Sequence, residues 1–162
     1  MKDWIQWGIS IIVGILGWLG GGFAERKKIQ SNKDKKTLER YYELLPVNFM
    51  DFIKNHRFSS YYEDSSLNSL LAFEMENQKP DFIFINKNLD RKRKDLLKSF
   101  NKLTGILLDN EIPINDGKRY RLTKMHDNPT KEEKTIIDQV DHLCDDIYKT
   151  NSNIVIYAHK NL

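Results

Sequence analysis

With 162 residues, 40% of them apolar and 11% aromatic, the chain is long enough for one compact domain plus an appendage and too apolar to be disordered throughout. Its net charge of +3, from 26 Lys plus Arg against 23 Asp plus Glu, points to neither a dedicated nucleic-acid binder nor an acidic tail. Cys144 is the only cysteine, which excludes an internal disulfide and suits a reducing compartment.

From Trp4 to Ala24 the chain carries 21 consecutive uncharged residues. As a helix these would span about 31 Å, close to the hydrocarbon thickness of a bilayer. Trp4, Trp7 and Trp18 lie toward its ends, where indoles prefer headgroups. The stretch reads as an N-terminal transmembrane anchor over 1–24. A signal peptide cleaved near Ala24, giving a secreted protein, is the alternative. Against cleavage stand the length of the apolar run and the cations that follow it: Arg26, Lys27, Lys28, Lys33, Lys35 and Lys36. By the positive-inside rule they place the N-terminus outside and the C-terminal domain in the cytoplasm, at the plasma (inner) membrane. They also form a membrane-surface basic cluster that attracts lipid headgroups. Within the anchor, Ser10, Gly14, Gly17, Gly21 and Ala24 recur at spacings of 4, 3, 4 and 3. Such a seam of small residues lets membrane helices approach closely and points to a homo-oligomer.

Residues 25–45 continue the helical register through Leu38, Tyr42 and Leu45 as a basic juxtamembrane stalk, ending near Pro46. The remainder, 46–162, reads as a cytoplasmic helical domain. Pro46 opens a short helix with Phe49, Phe52 and Ile53 on one face. A helix from Ser66 to Gln78 follows, with Leu67, Leu70, Leu71 and Met75 expected inward. Phe82 to Ile85 is an apolar run compatible with strand or helix start. Asn88–Asp109 is strongly helical, with Leu89, Leu96, Phe100, Leu103 and Leu107 as its seam. Residues 111–129 read as a loop or small hairpin around Asn115-Asp116-Gly117. Thr130 and Glu133 have capping-box spacing at the head of a last helix. Ile136, Val140, Leu143, Ile147, Ile154 and Ala158 carry its rhythm to the C-terminus, interrupted by the polar Asn151. The β-branched run at 154–158 would suit a strand by itself, but no Pro or Gly breaks the helical rhythm before it. The expected class is therefore all-α: a single transmembrane helix followed by a small cytoplasmic bundle with two long antiparallel helices.

Chemistry-bearing patterns are sparse. Pro80-Asp81 with Asp90 and Lys92 imitates the carboxylate–lysine pattern of metal-dependent nucleases, but Asp90 falls in the first turn of a helix, where an acid is stabilising anyway. Asp138 and His142 share a helix face, with no second ligand pair to complete a metal site. Basic residues gather at Lys87, Arg91, Arg93 and Lys94, and again around Arg119 and Arg121 beside Tyr120, a composition that can contact a polyanion. Pairing with acids on neighbouring helices is the simpler fate of such residues. No phosphate-binding glycine loop or nucleophile elbow is present, and neither a cofactor nor a metal is expected. The expected role is a membrane-anchored, non-enzymatic interaction subunit with a cytosolic protein partner. The alternatives are a membrane-perturbing effector and a membrane-tethered nucleic-acid binder.

Overall fold

The computed structural model describes residues 28–114, 118–123 and 128–162. The first helix, α1 (28–44), buries Asp34, Thr37 and Tyr41 at spacings of 3 and 4, so one face is packed into the domain while its lysines stay outside. It stops at Leu45, because the residue before a proline is pushed out of the helical region. Pro46 is the N-cap of α2 (Val47–Asn55), which buries Phe49, Met50 and Ile53.

A two-residue strand, β1 (Tyr62–Glu63), and a 3₁₀ turn over Asp64–Leu67 precede α3 (Asn68–Glu76). The inward face of α3 is Leu70, Phe73 and Glu76, whereas Leu71 and Met75 are exposed. Phe73 fixes this rotation: its ring makes edge contacts with Tyr41, Phe82 and Phe100, more apolar contact than Leu71 or Met75 would gain. Residues 82–85 then run extended, with Phe82 and Phe84 in the core and Ile83 and Ile85 outward.

The long helix α4 (Lys87–Asn110) starts at an N-cap, Asn86, whose side chain accepts from the amides of Asn88 and Leu89. Its buried seam is Leu89, Arg93, Leu96, Phe100, Leu103 and Leu107, a strict alternation of 4 and 3. After it, β2 (Ile112–Pro113) and β3 (Arg119–Arg121) pair antiparallel, and β3 also pairs antiparallel with β1, giving the order β1-β3-β2. The last helix, α5 (Lys131–Asn161), begins with the full capping box of Thr130 and Glu133 and stays helical through 154–159. Its seam is Ile137, Val140, Leu143, Cys144, Ile147, Asn151, Ile154 and Ala158, with Ile136 only partly covered. Asn88 at the head of α4 donates to Tyr157 Oη near the end of α5 at 3.2 Å, so the two long helices run in opposite directions.

Two corrections to the expected class follow. First, the domain is mostly helical, as expected, but not purely so: Tyr62 stacks on Tyr120 across a small three-stranded sheet that joins the 56–63 segment to the hairpin after α4. Second, no helix among the described residues is long and apolar enough to cross a membrane, since even α4 and α5 are apolar on only one stripe. Residues 4–24, assigned to the anchor, and the seam Ser10, Gly14, Gly17, Gly21 and Ala24 lie outside the described residues, as do Arg26 and Lys27.

Candidate interaction surface

The break at Pro46 separates α2 from α1, and both meet α5. Between them opens a groove of ≈ 510 Å³ walled by Tyr42, Leu45, Val47, Met50, Val155 and Ile156. Asp51, Ser152 and His159 line its polar parts. Val47 is 77% exposed and Ile156 52%, and the two line the same groove. At the floor, the hydroxyl of the fully buried Tyr41 donates to Asn151 Oδ1 at 2.5 Å. Burial raises the pKa of the Tyr41 phenol well above its ordinary value, so it remains a donor. The Tyr42 hydroxyl is buried with no hydrogen-bond partner among the described residues, and burial raises its pKa too. Lys54 lies over the face of Tyr148, 4.8 Å from the ring centroid, extending one wall.

The basic residues singled out from the sequence do not form one patch. Lys87 and Arg91 are exposed at the start of α4, and Lys92 lies over the ring of Tyr157. Lys94 is exposed but paired with Asp90 at 2.8 Å. Arg93 is 3% exposed and committed inward: it bonds Asp90 and Asn77, and its guanidinium sits 5.6 Å from the Phe82 centroid. Arg119 stacks over Tyr61, and the half-buried Arg121 sits beside it in β3. The hairpin follows the far end of α4, about 36 Å from Lys87 along a helix of this length. Lys28, Lys33, Lys35 and Lys36 are all exposed on α1.

The nuclease-like acids are equally separate in role. Asp81 is exposed, and its hydrogen bond from Arg40 (3.0 Å) holds its carboxyl below the usual range. Arg40 also pairs with the buried Glu76. Burial opposes ionisation of Asp90, but the hydrogen bonds from Lys94 and Arg93 outweigh it and lower the pKa. Asp138 and His142 are both exposed on α5. No group of three His, Cys, Asp or Glu among the described residues is placed to hold a metal ion. Burial, reinforced by Asp141 and Asp145, pushes the Cys144 thiol up to about 12, which removes it as a nucleophile.

Two features escaped the sequence. Asn151 looks like an interruption of the α5 seam but is its polar contact with Tyr41. The groove itself is signalled only weakly, by Val47 and Ile156 falling off the buried seams of their own helices. Comparison with protein-family models, with curated proteins and with solved structures gave no match for this chain.

Proposed function

We propose that this chain is a non-enzymatic interaction module, held at the cytoplasmic face of the inner membrane by its apolar segment 4–24, whose groove receives an amphipathic helix of a cytosolic protein. The observation that carries the reading is the groove: open, apolar-walled, flanked by two helices and furnished with a few polar groups to set orientation. Helix-in-groove recognition takes apolar anchors at helical spacing, and Val47 and Ile156 are the most exposed apolar side chains lining it. Support for the location comes from the uncharged stretch and the six cations that follow it. Copies meet through the small-residue seam at Ser10, Gly14, Gly17, Gly21 and Ala24.

The test is purification of the full-length chain in mild detergent, with identification of everything bound at stoichiometric amounts and the mass of the assembly. Val47→Glu and Ile156→Glu place a charge on the groove walls and are expected to release the partner while leaving stability within about 0.5 kcal/mol. A partner retained by both variants would remove the groove from the proposal. A bare homo-oligomer, with no partner, would favour the membrane-perturbing role instead.

A further inference from the structure

We propose that the end of the domain where α1 begins is a docking face for an anionic lipid surface, built from Ile83 and Ile85 with Lys28, Lys87 and Lys160 around them. It rests on the reading that segment 4–24 resides in a bilayer. Three separate stretches converge at this end. Both carboxylate oxygens of Asp34 accept backbone amides, from Ile85 at 2.5 Å and Asn86 at 2.9 Å. Ser31 donates to the Leu162 carbonyl at 3.4 Å, and Asn88 reaches Tyr157. The start of α1, the start of α4 and the end of α5 therefore share one end of the molecule.

The extended run 82–85 turns Phe82 and Phe84 into the core, which forces Ile83 and Ile85 to the opposite side, 41% and 37% exposed. Ile29, one residue past Lys28, is 60% exposed. The charge at this end is one-sided. Lys28, Lys87 and Lys160 are exposed, while the nearby acids are partnered: Asp34 is buried on its two amides, Asp90 is paired with Arg93 and Lys94, and the exposed Asp81 is paired with Arg40. Exposed isoleucines and lysines at one end of a domain are the composition of a surface that sits at headgroup depth.

Chain length supplies the remaining constraint. Only four Cα steps separate Ala24 from Lys28, a reach of about 14 Å at full extension. A domain tethered so closely holds this end within about two Debye lengths of the lipid phosphates at physiological salt. Docking there also orients the groove. The Tyr41–Asn151 bond on its floor lies ten residues along α1 from Ser31, about 15 Å of helix from this end.

The test uses the full chain in nanodiscs of phosphatidylcholine, with or without phosphatidylglycerol, carrying a spin label at Ile85→Cys or, as a second site, Ile29→Cys. Leu108→Cys, 66% exposed near the opposite end of α4, is the control, and the buried Cys144 stays in place. In anionic discs the label at 85 or 29 is expected to lose several-fold of its accessibility to a water-soluble nickel reagent, with no change at 108. Lys87→Glu combined with Lys160→Glu should restore that accessibility with the circular-dichroism spectrum unchanged. Each basic residue near an anionic surface contributes about fivefold, so the double reversal shifts the docked-to-undocked ratio by ~25-fold or more. Labels at 85 and 29 that stay as wet as 108 in both lipids, on protein still bound to the bilayer after a carbonate wash, would overturn the docking face alone. Protein that leaves the bilayer in the wash overturns the membrane-held reading and the docking face with it. Charge-sensitive binding of a labelled RNA while the label at 85 stays wet would assign these cations to a nucleic acid.

Discussion

Asp34 is one carboxylate in a run of lysines, and by composition it belongs in solvent. The fold instead makes it 3% exposed and spends both oxygens on the amides of Ile85 and Asn86, which otherwise have no ladder to join. Asp34→Asn keeps one acceptor and presents an NH2 to the second amide. It is expected to cost about 2 kcal/mol in chemical denaturation and to speed hydrogen exchange at 85 and 86. Unchanged exchange there would mean that the carboxylate does not hold the segment. His56 is half-buried, and one group acting on it, Asp141, is far from it in the sequence. Its ring stacks on Phe52 and meets the edges of Phe58 and Tyr62, and burial lowers its pKa against the opposing pull of Asp141. The folded state therefore resists the imidazolium while the unfolded chain accepts a proton near pH 6.5. Stability is fully present above that pH and falls as pH drops from about 6.5 toward the lowered folded value. Denaturant midpoints between pH 7.5 and 5.5 should fall for the native chain and vary less for His56→Phe; equal slopes would place the titration elsewhere. Neither burial was legible in the sequence, because both depend on which segment crosses above the side chain.

At the scale of elements, legibility followed periodicity. The capping box at Thr130, the helix break at Pro46 and most of the α4 and α5 seams rest on local spacing and sit where it puts them; among the exceptions are Ile137, buried in place of Ile136, and Arg93, which completes the α4 seam. The rotation of α3 differs from the expected one because Leu67, Leu71 and Met75 compete with Phe73 for the inward face, and only the rings of Tyr41, Phe82 and Phe100 decide the contest. The sheet was hidden for a related reason. Its strands are two or three residues long, too short for a period, and the β1–β3 pair joins residues 57 or so positions apart. Within the basic run of α4, spacing does separate two kinds of arginine: Arg93 falls between Leu89 and Leu96 on the buried seam, whereas Arg91 does not. Composition alone treats them alike. Arg93→Ala leaves Asn77 Oδ1 without its guanidinium donor, takes from Asp90 one of two cationic partners (Lys94 remains) and removes one of the two guanidinium groups over Phe82, and is expected to cost about 2 kcal/mol. Arg91→Ala should stay within about 0.5 kcal/mol. Similar losses in thermal or urea melts for the two variants would contradict this division of the helix into an internal and a solvated face.

On the scale of the whole molecule, α5 is the axis on which the rest is assembled. Its seam meets α4 along its length, Asn151 fastens α1, and Asp141 accepts the Phe58 amide of the 56–61 segment at 3.3 Å. An opening confined to one neighbour leaves the other contacts on α5 in place, so the middle of this helix should be exposed only when the domain unfolds as a unit. Cys144 occupies that middle, 1% exposed, and burial has suppressed its thiolate. A disulfide-exchange reagent such as Ellman's therefore has to wait for global unfolding. For a domain stable by about 5 kcal/mol, labelling in the native state should be slowed ~10³-fold or more relative to unfolded protein. Its rate should rise with urea along the same slope as the circular-dichroism transition. The groove variants Val47→Glu and Ile156→Glu should label at the native rate, since they alter a surface and not the α5 seam, while Arg93→Ala should accelerate labelling in proportion to its lost stability. Fast labelling of the native chain, independent of urea, would show that α5 opens locally and that the contacts along its seam do not act as one cooperative unit. That outcome would also weaken the groove, because Val155 and Ile156 hold their places in its wall only while α5 stays closed.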